Sequence, residues 1–210
     1  MEYTINIKGR LMDLSSPQVM GILNVTPDSF YSGSRKQTEM EIAQRANQII
    51  EEGGSIIDVG AFSTRPGADE VSEEEEGRRL KFALDIVRRE QPDAAVSVDT
   101  YRPTLARKCI EEWGADIIND VSEGGITGIV NVPLEQRQEE YPEMFRVVGE
   151  LKVPYILMSV QPTLETMMKG FAREVQQLRD LGAKDIILDP GFCFGKNLIQ
   201  NYQIYNEMEK

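Results

Sequence analysis

Six short apolar runs in this chain end in amides, carboxylates or hydroxyls. MGIL stops at Asn24, SIIDVG carries Asp58 and Gly60, AAVSVDT holds Asp99, ADIIND closes on Asn119 and Asp120, VPYILMSV holds Ser159, and KDIILDPG brings Asp189 to a Pro-Gly pair. One Asn or Asp at one strand end means little, because these residues cap helices and open turns. Caps fall after the loop, however, and polar endings on nearly every strand point to a ligand. A carboxylate such as Asp189 accepts two parallel hydrogen bonds from adjacent N–H donors, and an amide such as Asn119 donates and accepts at once. A 2-amino-4-oxo-pyrimidine edge fits that set. The stretch STRPGA (63–68) adds the hydroxyls of Ser63 and Thr64 and the fork of Arg65, suited to phosphate oxygens, with Pro66 stiffening the turn. DPGFCFGKN (189–197) reads as a strand-to-helix turn able to bring backbone N–H groups and Lys196 to an anion. Its spacing is not that of a P-loop.

The chain has no histidine. That excludes Ser-His-Asp and Cys-His catalysis, histidine-ligated zinc and a histidine general base. The 35 acidic against 23 basic residues, a net charge of −12, make nucleic acid and anionic membrane surfaces poor partners. Cys109 and Cys193 stand in no metal-binding spacing and suit a reducing compartment. No run reaches the roughly 18 to 20 apolar residues of a membrane span, and MEYTINIKGRLMDLSS lacks the pattern of a signal peptide. A cytoplasmic protein is expected.

The elements that must position these residues follow a βα rhythm. TEMEIAQRANQIIEEGG puts Ile42, Ala46, Ile49 and Ile50 on one helical face, with Gly53 and Gly54 as stop signals. Ser72 and Glu75 predict a capping box for a helix burying Leu80, Leu84 and Val87, and the run Glu73–Glu76 reads as a solvated face at the positive end of its dipole. Pro103 opens a helix with Ala106, Cys109, Ile110 and Trp113 at helical spacing. A short helix is expected around 143–151, another with Met167, Met168, Phe171, Val175, Leu178 and Leu181 inward, and a last one from Asn197. The methionines read as core fillers. SEGGITGIVNVPLEQRQEEYP reads as a long irregular connection. Six βα units on continuous apolar strands imply a parallel sheet covered by helices. An open doubly wound sheet and a (β/α)₈ barrel lacking its last two units both satisfy this pattern.

GILNVTPDSF, DVGAFSTRPGA, SVDT, IIND and ILDPGFCFGK together, in this order, resemble the signature stretches of dihydropteroate synthase. The resemblance runs from about residue 18 to the end of the chain. It implies an α/β fold of the (β/α)₈ TIM-barrel type, truncated after the sixth βα unit, with residues 1–210 as a single pterin-binding barrel domain. It implies condensation of a dihydropterin diphosphate with p-aminobenzoate, giving dihydropteroate and diphosphate in folate synthesis, with sulfonamides as competitors and Mg²⁺ as cofactor.

By position, Asp99, Asn119 and Asp189 would hold the pterin and Asn24 the magnesium diphosphate. Arg65 would meet the diphosphate and, with Asp99, serve catalysis. Thr64, Pro66, Phe30 and Phe194 would form the p-aminobenzoate pocket, Asp28 would belong to the first loop, and Lys196 would bind substrate. Cys193 stands where the family has Gly, and LMSVQP replaces its Met-His-Met-Gln-Gly pattern. A methyltetrahydrofolate-binding methyltransferase shares the barrel but has no use for NVTPDSF and STRPGA, and a non-catalytic pterin-binding remnant is the third reading. A homodimer is left open. Arg65→Ala is expected to weaken binding of the pterin diphosphate more than that of the pterin alone, measured by calorimetry with both ligands; equal losses would remove the assigned role.

Overall fold

The computed structural model describes residues 3–25, 35–62, 71–125 and 141–208. They form two compact units, 1–119 and 120–210, taken here in turn.

The first unit opens with a hairpin of β1 (Thr4–Ile7) and β2 (Arg10–Asp13), a pair that composition and motif reading passed over. Its turn residues Lys8 and Gly9 have φ of 48° and 83°, the positive values that a tight two-residue hairpin turn needs. Three βα units follow: β3 (Met20–Asn24) and α1 (Arg35–Glu51), β4 (Ile56–Gly60) and α2 (Glu73–Glu90), β5 (Ala95–Asp99) and α3 (Pro103–Glu111). The strand β6 (Ile117–Asp120) closes this unit's sheet, in which β3, β4, β5 and β6 pair in chain order and in parallel. All five residues of β4 are buried, which is why SIIDVG is apolar on both faces except at Asp58.

The helices bury the faces their spacing dictates. Ile42, Ala46 and Ile49 of α1, Leu80, Leu84 and Val87 of α2, and Leu105, Ala106 and Cys109 of α3 are all buried. Pro103 occupies the first turn of α3, where its missing N–H costs nothing. The capping box of α2 forms only in part. Ser72 Oγ accepts from Glu75 N–H at 3.2 Å, but the Glu75 carboxylate turns to Arg78 and Arg79 instead of reaching back.

At the amino-terminal ends of the strands one carboxylate ties several elements together. Asp116 Oδ2 accepts from Val96 N–H at 2.8 Å and from Arg88, while its own N–H donates to Val96 O at 2.7 Å. Lys8, from the hairpin turn, meets Asp116 Oδ1 at 2.7 Å, and Arg88 also donates to Gly114 O and Ala94 O at 2.7 Å each.

The second unit has three helices and two paired strands among its described residues: α4 (Glu143–Leu151), β7 (Tyr155–Met158), α5 (Leu164–Asp180), β8 (Ile186–Asp189) and α6 (Leu198–Glu207). The strands β7 and β8 are parallel, with Met158 opposite Asp189. Thr163 caps α5, and Asn197 with Gln200 makes the reciprocal capping box at α6 that Ser72 and Glu75 do not complete. Met167, Phe171 and Leu178 are buried, but Met168 is half exposed, so only one of the two adjacent methionines fills the core. Helical geometry turns neighbours by about 100°, which carries Met168 to the edge of the buried stripe. In the expected long connection, residues 126–140 lie outside the described set.

Asp116→Ala would strip Val96 N–H of its acceptor and leave part of the Arg88 charge unpaired. Loss of about 3 kcal/mol of stability is expected, the range for breaking a buried ion pair, read from denaturant unfolding.

Candidate functional site

Parallel pairing without slip places the carboxyl ends of the first unit's strands in one row. Asn24 pairs with Gly60, Gly60 with Asp99, and Asp99 with Asn119. Side chains alternate between faces along a strand, so the row two residues deeper, Ile22, Asp58, Ser97 and Ile117, lies on the same face. The ladder continues just beyond the row, Val25 N–H donating to Gly60 O at 2.8 Å and Thr100 N–H to Asn119 O at 3.1 Å.

Gly60 is what lets the row work. A Cβ at this position would lie 2.8 Å from Asn24 Oδ1 and 3.5 Å from Asp99 Oδ2. The absent side chain leaves a cradle between an amide oxygen and a carboxylate oxygen. Below it, Asn119 Nδ2 donates to Asp58 Oδ2 at 3.1 Å, and both residues are over nine-tenths buried. Burial pushes the Asp58 carboxyl above its ordinary value, while hydrogen bonds from Ser97 and Asn119 oppose the rise. Asn24 is exposed. It also lines a cavity of about 320 Å³ between β3 and α1, bounded by Thr38, Glu41 and Arg45, which none of the other described candidate residues lines.

The loops after β4 and β5 are braced by a network that sequence reading missed. Glu76, in the first turn of α2, is fully buried and accepts from Thr100 Oγ1 at 2.7 Å and from Arg102 Nε at 2.8 Å. Arg102 Nη2 also donates to Val71 O at 2.7 Å, and Phe62 packs edge-on against Tyr101 with centroids 4.9 Å apart. The reading of Glu73–Glu76 as a solvated face is therefore corrected at Glu76. Burial raises its carboxyl, with Thr100 and Arg102 pulling the other way. The clue was the arginine just beyond the VDT stretch, a cation with no acidic partner on its own helix face.

In the second unit, Asp189 ends β8 and accepts from Gly191 N–H at 2.8 Å, shaping the turn. Gly191 has φ of 60°, and a Cβ there would fall 2.3 Å from Ser159 O, so only glycine fits. Cys193 adopts φ of 71°, the left-handed region that favours glycine. Lys196 Nζ donates to Ser159 O, Gly191 O and Phe194 O at 2.8, 3.0 and 3.1 Å, holding the turn closed. Partial burial lowers its ammonium below the ordinary value, against the pull of Asp189 and Glu123. Phe194 is half-buried within the same turn. Asp28, Phe30, Thr64, Arg65 and Pro66 lie outside the described residues.

Beside this turn lies a group of buried acids. Asp120 accepts from Ser122 N–H, Ser122 Oγ, Gly124 N–H and Tyr155 OH at 2.6 to 2.8 Å, which fixes the turn after β6. Glu123 accepts from Ser159 Oγ at 2.9 Å, and its neighbour Glu174 is held by Arg173 at 3.0 Å. Burial first, and then the charge of Glu174, pushes Glu123 up to about 7, while Ser159, Arg173 and Lys196 oppose.

Polar residues aligned at the carboxyl ends of parallel strands define an α/β protein of the class whose ligand sites lie at those ends. The pterin-binding enzyme family model matches residues 20–210. Dihydropteroate synthase of Escherichia coli is 36% identical over 94% of this chain and 69% of its own length, and that of Bacillus subtilis is 35% identical over 91% and 64%. Among solved structures, a Xanthomonas albilineans dihydropteroate synthase with 4-aminobenzoic acid superposes with a TM-score of 0.82 at 30% identity, covering 99% of this chain and 73% of that one. A Yersinia pestis dihydropteroate synthase with a sulfonamide drug gives 0.76 at 32%, covering 98% and 74%. The chain belongs to the pterin-binding enzyme family, among its dihydropteroate synthases, with the fold class of their α/β barrels. Among the described residues, no helix is long and apolar enough to cross a membrane.

Glu123 keeps a proton in the folded state that the unfolded chain releases near 4.5, so its share of stability is full at low pH and is lost as pH rises through about 7. Asp120 and Glu174, also raised by burial, act in the same direction. The thermal midpoint should therefore fall as pH rises from about 4.5 to about 7, and Glu123→Gln should flatten that fall. An unchanged slope in the variant would assign the proton elsewhere.

Proposed function

We propose that this chain condenses a dihydropterin diphosphate with p-aminobenzoate, releasing diphosphate and forming dihydropteroate, as a cytoplasmic enzyme of folate synthesis whose 210 residues act as one pterin-binding domain. The observation that carries the reading is the in-register row Asn24, Gly60, Asp99 and Asn119, which sets an amide oxygen, a side-chain-free cradle, a carboxylate and a second amide along one line. Those groups match a flat heterocycle with several ring N–H donors and a diphosphate tail. Asp189 is assigned to the same heterocycle on the family resemblance, its carboxylate suiting the paired donors of a 2-amino-4-oxo-pyrimidine edge.

Asn24 fits a magnesium ion as one hard oxygen donor, with the space beside its Oδ1 left open by Gly60. Magnesium commonly takes only one or two protein ligands and completes its shell with phosphate oxygens and water. When bound, the ion would neutralise charge on the departing diphosphate. Arg65 is assigned to the same charge. Asp99 would stay against the pterin ring, where an anion favours positive charge spreading from the methylene into the heterocycle as the C–O bond breaks. The arylamine then attacks that carbon. Unprotonated at neutral pH, it is nucleophilic without a general base, so a chain with no histidine can run this reaction. The proton leaves the amine after the C–N bond forms. Thr64, Pro66, Phe30 and Phe194 are assigned to the aromatic amine and Asp28 to the loop that covers it. Sulfonamides would compete there. The net charge of −12 leaves this local cluster, rather than the overall field, to attract the diphosphate.

Production of dihydropteroate from the two substrates with magnesium, blocked by a sulfonamide, is the expected result of a direct assay; no product would remove the reading. Asp189→Asn should abolish pterin binding by calorimetry, because an amide cannot accept two parallel N–H bonds. Parent-like affinity in the variant would refute its role.

A further inference from the structure

Asn119 has two ends, and the structure uses only one. Its Nδ2 donates to Asp58 Oδ2 at 3.1 Å. Its Oδ1 is buried, with no hydrogen-bond partner among the described residues. A buried acceptor without a donor costs about 1 to 3 kcal/mol, so it persists only where a further donor satisfies it. The orientation of the amide is not free either. A carboxylate accepts and does not donate, so an ionised Asp58 can face only the NH₂ end of Asn119.

Asp58 is well placed to enforce this. It lies on β4 two residues below Gly60, on the face of the row, with Ser97 of β5 as its register neighbour and Asn119 one strand further on. Only 5% of its surface is exposed, so it reaches Asn119 from beneath and does not compete for the open cradle.

We infer that Asp58 is a positioning residue: by taking the Asn119 amide N–H it turns Asn119 Oδ1 toward the substrate, so that the site demands an N–H donor from the heterocycle and rejects rings that offer an acceptor there. The inference rests on the pterin reading above, and names the group that sets its polarity. The exocyclic 2-amino group of the pterin supplies the donor. A ring without that amino group leaves Oδ1 unpaired.

The test compares calorimetric affinities for 6-hydroxymethylpterin and its 2-deamino counterpart. The parent chain should prefer the pterin by at least about tenfold, the cost of one unpaired buried acceptor. Asp58→Asn keeps the size of the side chain but can donate as well as accept, so the Asn119 amide is released to flip and the preference should fall about tenfold, to the share that Asp189 keeps through the same amino group, while affinity for inorganic diphosphate stays at the parent value. A merely structural role would lower all affinities together and leave the ratio unchanged. The double variant Asp58→Asn with Asn119→Ala should discriminate no worse than Asn119→Ala alone, since Asp58 acts through Asn119. Additive losses, or an unchanged preference in Asp58→Asn, would overturn the inference. Failure of the parent chain to bind 6-hydroxymethylpterin at all would overturn the functional reading, and this inference with it.

Discussion

Parallel hydrogen bonding between strands is the constraint on which the first unit depends. A parallel ladder has one spacing and no tight turn to set its register, so the register must come from burial and from side chains that lock the ends. Here it is exact enough across four strands to bring Asn24, Gly60, Asp99 and Asn119 level. A slip of one residue would turn each side chain to the opposite face. The polar row would then face the helices, and the apolar residues that α1 and α2 cover would face the ligand. Fold and site are thus the same statement about pairing, made once by the backbone and once by the side chains.

Apart from Asp58 and Ser97, the strand interiors are mostly apolar while the strand ends are not, and this contrast made the architecture legible. Continuous runs such as SIIDVG, helical stripes such as Ile42, Ala46 and Ile49, and stop signals such as Gly53 and Gly54 each reflect a local rule, and the elements appear where those rules put them. The choice between an open sheet and a barrel was not legible from patterning, because both bury the same stripes. The family motifs decided it, and the structural likeness agrees. The hairpin of β1 and β2 was missed because its strands are only four residues long and its Lys-Gly turn is less distinctive than Asn-Gly.

At the site, residue type and position were readable but partnership was not. Asn24, Asp99 and Asn119 stand out as polar interruptions at strand ends. Whether a polar residue serves the ligand or the protein depends on what packs beside it, and that is set by residues far away in the chain. Glu76 looked like one of four solvated glutamates, and is buried because Thr100 and Arg102 meet it from the next loop. Glu174 sits in the buried stripe of α5 between Phe171 and Leu178, where spacing alone would predict an apolar residue. Lys196, conspicuous as a lone cation near a helix start, spends its three donors on backbone carbonyls.

The exchange between Asp116 and Val96 gives the strand ends a reference point. Asp116 returns both of the hydrogen bonds that the backbone of Val96 offers, one through its own N–H and one through its carboxylate, just ahead of β6. A side chain thereby imitates a neighbouring strand and dictates the phase in which β6 begins alongside β5. Three residues later that phase has become the orientation of Asn119. On the proposed function, selection on the recognition of a heterocycle would be felt at a carboxylate that never meets it, and drift at the quiet end of the sheet would reach the busy one.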